Sequence, residues 1–455
     1  MSQRNGLNRR AFLKNAGMTA LAGAVGTGTS PAAPSLGIAS EPAHGVFDFD
    51  TPYNRIGTNC IKWDRQIERF SDCTIEVAMG IADMDFKAPP CIGRALAERC
   101  KHENWGYMST PTSYVEAIVA WNRRRHGLEV DPDTIVLSDG VHPGLIAALR
   151  TFSPPGSRVL LTTPTYNGFY GDLRASFTLA ADSPMKLMDG RYSIDFDDLE
   201  SRISADTNTL ILCNPQNPTG NCWSEEDLMR LGRLCLERRV VVLADEIHCD
   251  FLMKGQKYIP FASLPDNEVV KNSLTFKAIS KTFSLAAMKS GYFFSTNPGY
   301  LERVKANHRA NVNTLGVVAN EAAYKEGEAW LDQLLPYLEA NHEFVEAFLR
   351  DRMPLVRCTK AQATYLAWLD ISGVVDKIGA KEQAARETKM QDASKPAVTP
   401  AMIVERWFVE NAKVHMNAGS SYGTGGEGHM RMNLGTSRKL IARALDNMSA
   451  ALAEL

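Results

Sequence analysis

The chain lacks a charge excess of either sign. Its 50 lysines and arginines are set against 52 aspartates and glutamates, a formal net charge of -2. Without a basic field, the composition argues against a nucleic-acid partner. Paired cysteine motifs are also missing. There are nine cysteines and no C-x-x-C pair, which argues against a zinc ribbon or a thioredoxin-type centre. The odd number leaves at least one thiol free. Cysteines scattered through a chain of this length act as small buried hydrophobes, not as a disulfide framework. The apolar stretch from about Ala16 to Val25 is too short and too glycine-rich to cross a bilayer. No tandem repeat is visible.

What is present is ordinary for a globular protein: 44% hydrophobic and 22% charged residues. A length of 455 residues exceeds one small core and points to two domains or one large domain with a satellite. The opening is different in character. Arg9 and Arg10 precede Phe12, Leu13 and Lys14, then the mildly apolar run, then a Gly/Ser/Pro-rich segment. This resembles a twin-arginine export signal, expected over residues 1–40 and excluded from fold reasoning. It implies a periplasmic protein with no membrane attachment once the signal is removed.

From Phe47 onward, strand-length apolar runs alternate with amphipathic stretches. The runs are Thr134–Leu137, Arg158–Leu161, Thr209–Leu212, Val240–Leu243 and Ser273–Phe276; helical patterns include Pro143–Thr151 and Glu225–Arg238. The alternation predicts an α/β fold with a largely parallel sheet covered on both faces. Open α/β sheets bind ligands at the carboxyl ends of their strands. Each run here is followed by a polar or glycine-bearing turn: Gly140, Tyr166, Asn217, Asp245 and Lys281. Five such ends in one sheet predict one shared site.

The residue types at those ends meet the needs of pyridoxal 5'-phosphate (PLP). Its aldehyde needs a lysine, and Lys281 stands in FKAISKTFSLAAMKSGYFF. Its ring nitrogen needs a carboxylate to stay protonated, because the protonated ring is the electron sink. Asp245 ends the all-apolar strand VVVLAD, where an acid needs a partner. Asn217 lies in a rigid Asn-Pro turn, NPQNPTG, and His248 follows Asp245 by three residues. Gly140, Val141 and His142 form a strand-to-helix turn whose backbone N–H groups, with the helix dipole, suit a phosphate. Tyr166 can lay its ring on the cofactor face. Taken singly, each has a bland reading: a solvated lysine, a helix-capping aspartate, a structural histidine, a core tyrosine.

Together these runs resemble the fold-type I PLP enzymes of the class I/II aminotransferase superfamily. The resemblance is stronger to its MalY/PatB branch of C–S β-lyases (cystathionine β-lyases). The motifs are FDFDTPYNRIGTNCIKWD, IADMDF, GYMSTPTSY, NPQNPTG, DEIHCDF, SKTF, QATYLAWLD and GGEGHMRMNLGTSR. The steps of 28 residues from Asn217 to Asp245 and 36 from Asp245 to Lys281 are like the superfamily's. The resemblance implies that Lys281 forms the imine and moves the Cα proton. It implies that Asp245 holds the ring nitrogen, that Asn217 and His248 contact the phenolic oxygen, and that Tyr166 stacks on the ring. Tyr107, in WGYMS, looks like the tyrosine that reaches the neighbouring subunit's phosphate, which implies a homodimer with shared sites. Arg431, in GHMRMN, would bind the substrate α-carboxylate. Three positions depart from the pattern. Ala278 and Ser284 stand where serine and asparagine are common. Lys289 stands where arginine is common and is expected to compensate at the phosphate.

These readings imply a seven-stranded, mostly parallel sheet in a large domain over residues 89–328. A smaller α/β domain is expected from residues 41–88 and 329–455, with 376–399 as a surface insertion carrying a short exposed helix. The implied reaction is α,β-elimination on cystathionine or a cysteine S-conjugate. The alternatives are an aminotransferase, a racemase or decarboxylase on the same fold, and a regulatory protein that only retains PLP.

Overall fold

The computed structural model describes residues 45–455 apart from 393. The export signal expected over residues 1–40 lies outside the described residues. Seven strands form the main sheet: β1 Val136–Ser138, β2 Arg158–Thr163, β3 Leu179–Pro184, β4 Thr207–Cys213, β5 Val241–Asp245, β6 Ser273–Lys277 and β7 Gly291–Phe294, in the order β1-β7-β6-β5-β4-β2-β3. All neighbours are parallel except β7, which runs antiparallel to both β6 and β1. The expected α/β sheet is therefore present. Its central strands are continuous apolar runs because both faces are covered. Leu160, Leu210, Leu212, Val242 and Ala244 enter the core on one face, and Val159, Leu161, Ile211, Leu243 and Leu274 enter the core on the other.

Two crossover helices begin as their sequences dictate. Helix α1, Val141–Phe152, starts from Gly140 at φ 140°, a left-handed conformation that favours glycine. Helix α2, Glu225–Glu237, starts at a capping box between Ser224 and Asp227 and carries three acids in its first turn, facing the positive end of the helix dipole.

A second core gathers helices α3 Glu328–Arg352, α4 Ala380–Met390, α5 Pro400–Ala412 and α6 Arg438–Ala453 around an antiparallel sheet. That sheet comprises β8 Arg357–Thr359, β9 Leu366–Asp370, β10 Asn417–Ala418 and β11 His429–Asn433, in the order β8-β9-β11-β10. The segment expected as a surface insertion is only half that. Helix α4 is present, but Ala380 and Ala384 are buried in this core with Phe408. The apolar stripe is made of alanines one turn apart, which a charge-rich composition conceals. The N-terminal segment serves both cores. Cys60, Trp63 and Val77 pack in the second core, whereas Phe49, Met84 and Phe86 pack beside the main sheet.

Between those anchor points, residues 80–85 cross the cleft as a strap. Lys62 Nζ meets Asp85 Oδ2 at 2.6 Å, with both side chains fully buried. Trp63 Nε1 and Arg55 Nη1 donate to Asp85 Oδ1 at 3.0 and 3.3 Å. Asn433 donates to the carbonyls of Ile81 and Asp83. Breaking a buried pair by removing one partner leaves the other charge uncompensated, at a cost of about 3–5 kcal/mol. Lys62→Met is therefore expected to lower the unfolding free energy from denaturant titration by that amount, seen as a lower midpoint at unchanged slope. A midpoint within experimental error of the parent would show that Lys62 does not hold the strap.

Candidate active site

The strand register brings the polar ends together. Cys213, the last residue of β4, is opposite Asp245, the last of β5, and Asp245 is opposite Phe276 of β6. Chain leaving these strands at one edge forms a cavity of about 350 Å³, within the range for small-molecule sites. Its wall includes Gly140, Val141, His142, Tyr166, Asn217, Asp245, His248, Lys281 and Lys289, nine residues expected from the sequence. Arg431 is buried beside it on β11 and donates to Asn217 Oδ1 at 3.1 Å. Tyr107 is not brought to this cavity. It stands fully exposed, near the half-exposed Trp105.

The electrostatics follow from burial. Lys281 Nζ donates to the carbonyl of Ala82 at 2.8 Å. Burial holds this amine below the usual lysine range, with Arg431 acting in the same direction and Asp83 and Asp245 opposing. A larger share of neutral amine suits both imine formation and proton abstraction. Burial pushes Asp245 up to about 7, against a hydrogen bond from the Ile247 N–H at 3.2 Å and the nearby His142. A pyridinium N–H against this carboxylate would favour the ionised form. Burial holds His248 down at about 3, so it is neutral at physiological pH.

The wall fits PLP. Backbone N–H groups at the start of α1, with Ser280, Lys289 and Ser290, offer donors for a phosphate. Asp245 suits the ring nitrogen, Asn217 and His248 the phenolic oxygen, Tyr166 the ring face and Lys281 the aldehyde carbon. Among the described residues, the buried atoms His248 Nδ1, Asp139 Oδ1 and Arg431 Nε have no protein partner, and a bound cofactor and substrate could supply one.

Two of the departures from the superfamily pattern lie off this wall. Ser284 does not touch that wall. It sits at φ 54°, where asparagine is also favoured, and its hydroxyl accepts from the Met84 N–H at 3.1 Å. It therefore fixes the strap. Ala278 is buried, and the hydroxyls on the wall come instead from Ser280 and Ser290. Sequence reasoning also missed Asp172, Cys213 and the Ala82 carbonyl. Ser280 was within reach, being adjacent to Lys281. Asp172 and Ala82 gave no local signal.

The raised Asp245 carries a pH consequence. Its value moves from 3.8 to about 7 on folding, so the folded cofactor-free chain holds a proton that the unfolded chain has released. Stability of that form is expected to fall as pH rises from about 4 to about 7, by up to ~4 kcal/mol. Asp245→Asn removes the effect. Without cofactor, its melting temperature should match the parent near pH 4 and exceed it near pH 8. The same difference at both pH values would refute the assignment.

Residues 74–448 match the model of the aminotransferase class I and II family. The cystathionine β-lyase PatB of Bacillus subtilis is 38% identical over 412 residues, covering 89% of this chain and all of PatB. The protein MalY of Escherichia coli is 28% identical, covering 90% of this chain and 99% of MalY. Among solved structures, the PLP-bound C–S lyase of Staphylococcus hominis with L-cycloserine is similar at a TM-score of 0.79 and 31% identity, covering 90% of this chain and 99% of that one. Cystalysin of Treponema denticola, which contains PLP, gives 0.81 at 27% identity, covering 90% of this chain and all of cystalysin. The lysine, acid and arginine of the cavity thus stand in a chain that belongs to the class I and II aminotransferase family, in its MalY/PatB branch of cystathionine β-lyases.

Proposed function

We propose that this protein is a PLP-dependent C–S β-lyase that cleaves cystathionine or related cysteine S-conjugates to a thiol, pyruvate and ammonia. The observation that carries it is the placement of Lys281 and Asp245 on one cavity wall beside Arg431, in a chain that matches a cystathionine β-lyase along that enzyme's whole length. When bound, PLP supplies an electron sink that stabilises negative charge at the substrate Cα. The chain's own residues do the rest. Arg431 takes the substrate α-carboxylate through its guanidinium, which lies 5.0 Å from the centre of the Tyr422 ring. Asn217 accepts from one edge of that guanidinium and the Gly80 carbonyl from the other, at 2.8 Å, so its plane is fixed before substrate arrives. Lys281 Nζ, once free of the cofactor, takes the Cα proton as general base. Asp245 holds the ring nitrogen in its protonated form. The C–S bond then breaks, the sulfur leaves with the bonding electrons, and hydrolysis of the three-carbon remainder gives pyruvate and ammonia.

Lys281→Ala is expected to abolish turnover and the visible absorbance of the holoenzyme. Arg431→Ala should raise KM about 10²-fold with a smaller loss in kcat, because it removes ground-state binding. Pyruvate and ammonia should form from cystathionine without any added keto acid. Strict dependence on a keto acid would replace this reading with transamination.

Two further features belong to the same proposal. The Arg9-Arg10 opening supports export through the twin-arginine route to the periplasm. The full exposure of Tyr107 supports a homodimer in which it reaches the partner's phosphate. Arg9→Lys combined with Arg10→Lys should hold the protein in the cytoplasm, and light scattering on exported protein should give twice the chain mass. Export undisturbed by the double change, or a monomer mass, would defeat the corresponding half.

A further inference from the structure

His142 belongs to the Gly140–His142 turn, whose backbone N–H groups suit a phosphate. Its side chain has a separate arrangement. Nδ1 lies 2.9 and 2.7 Å from the two carboxylate oxygens of Asp172. Asp172 is buried on the helix Gly168–Ala175 and does not itself line the cavity. A carboxylate at that depth is costly unless paired, and His142 is its ion-pair partner. The other end of the imidazole opens on the cavity, with Nε2 3.4 Å from the Tyr166 hydroxyl and the two rings 5.7 Å apart. Gly168 makes this packing possible. A Cβ there would come within 2.4 Å of the Tyr166 ring and 2.9 Å of the His142 ring. Asp245 and Lys281 act on the same imidazole, and Asp139 and Lys289 complete the charged groups of the wall.

We propose that Asp172 and His142 form a positioning pair for the cofactor: the buried carboxylate holds the imidazole as a cation on the cavity wall, beside Asp245, Lys281 and the Tyr166 hydroxyl. This rests on the PLP reading above. The hydrogen bond that His142 Nδ1–H donates to Asp172 raises the imidazole above the usual histidine range, against the effect of burial. His142 is itself half-exposed, but its two contacts with the buried Asp172 carboxylate hold the charge in one place. That charge favours an ionised Asp245 and a neutral Lys281 nitrogen, the two states that the elimination requires. Through the Tyr166 hydroxyl, it also sets the angle of the ring that covers the cofactor.

His142→Gln removes the cation, and Asp172→Asn deprives it of the partner that keeps it charged. The readout is the pH midpoint of the holoenzyme's visible absorbance band, which reports the protonation of the Lys281–cofactor bond without substrate. Both variants are expected to move that midpoint upward, by about one pH unit. The double variant should shift it no further than either alone. If Asp172→Asn fails to fold, His142→Gln, whose side chain faces the cavity, decides the matter. A lowered melting temperature with an unmoved midpoint would overturn the proposal, leaving the pair a brace between two helices. Absence of the visible band from the parent protein would instead overturn the PLP reading on which it stands.

Discussion

Both functional cations end on the same short piece of backbone. Lys281 Nζ donates to the Ala82 carbonyl and Arg431 Nη2 to the Gly80 carbonyl, each at 2.8 Å. A backbone carbonyl is a suitable resting partner for a side chain that must later act. It satisfies a buried N–H, which would otherwise be expensive. It does not hold the group as an ion pair would, so the amine is released at lower cost. The strap must therefore be rigid, and the buried Lys62–Asp85 contact with the Trp63 and Arg55 donors pins its far end. Its near end admits no side chain: a Cβ at Gly80 would lie 2.3 Å from Asn417 Oδ1 and 2.5 Å from the His415 ring.

The cavity gathers opposing charges that a core built for stability alone would avoid. Lys281 is lowered and Asp245 raised by the same cause, burial. Pushing two titratable groups toward neutrality from opposite sides is the pattern expected of acid–base chemistry. The sheet makes the arrangement tolerable. Its parallel strands fill both faces mainly with apolar side chains, and Asp245, Asn217 and Lys281 follow at one edge, so the destabilising groups are concentrated where a ligand can satisfy them.

This division explains what could be read from the sequence. Each central strand carries a short apolar run with a polar or glycine-bearing turn after it, so the sheet, the edge and Lys281, Asp245 and Asn217 were legible together. β7 was not, because GYFF follows the lysine loop with only the short 3-10 turn Ala286–Met288 between and reads as part of the same apolar stretch. Its antiparallel course is set by that short connection. Helix α4 looks like an exposed appendage in the sequence because its contact with the core is made by Ala380 and Ala384, which add little to any hydrophobic pattern. The Ala82 contact left no trace at all, since a carbonyl is common to every residue. Asp172 meets His142 only because two helices pack side by side, and nothing in the local run GDLRAS distinguishes it from a surface acid.

The departures from the superfamily pattern also sort by physical demand. Ser284 braces the strap, Lys289 lines the cavity and Ala278 is buried in the core, whereas Lys281, Asp245 and Asn217 are the residues that would face the ring. A phosphate is an anion with several equivalent oxygens. Backbone N–H groups, hydroxyls and an ammonium serve it interchangeably, so a donor lost at one place can be supplied from Ser280, Ser290 or Lys289. The ring allows no such exchange. Its nitrogen and its aldehyde carbon sit at fixed positions of one conjugated plane, and a carboxylate or amine displaced by an ångström loses its partner. Substitution is therefore tolerated where the ligand's symmetry permits it, and the residues that face the ring keep the types that the chemistry specifies.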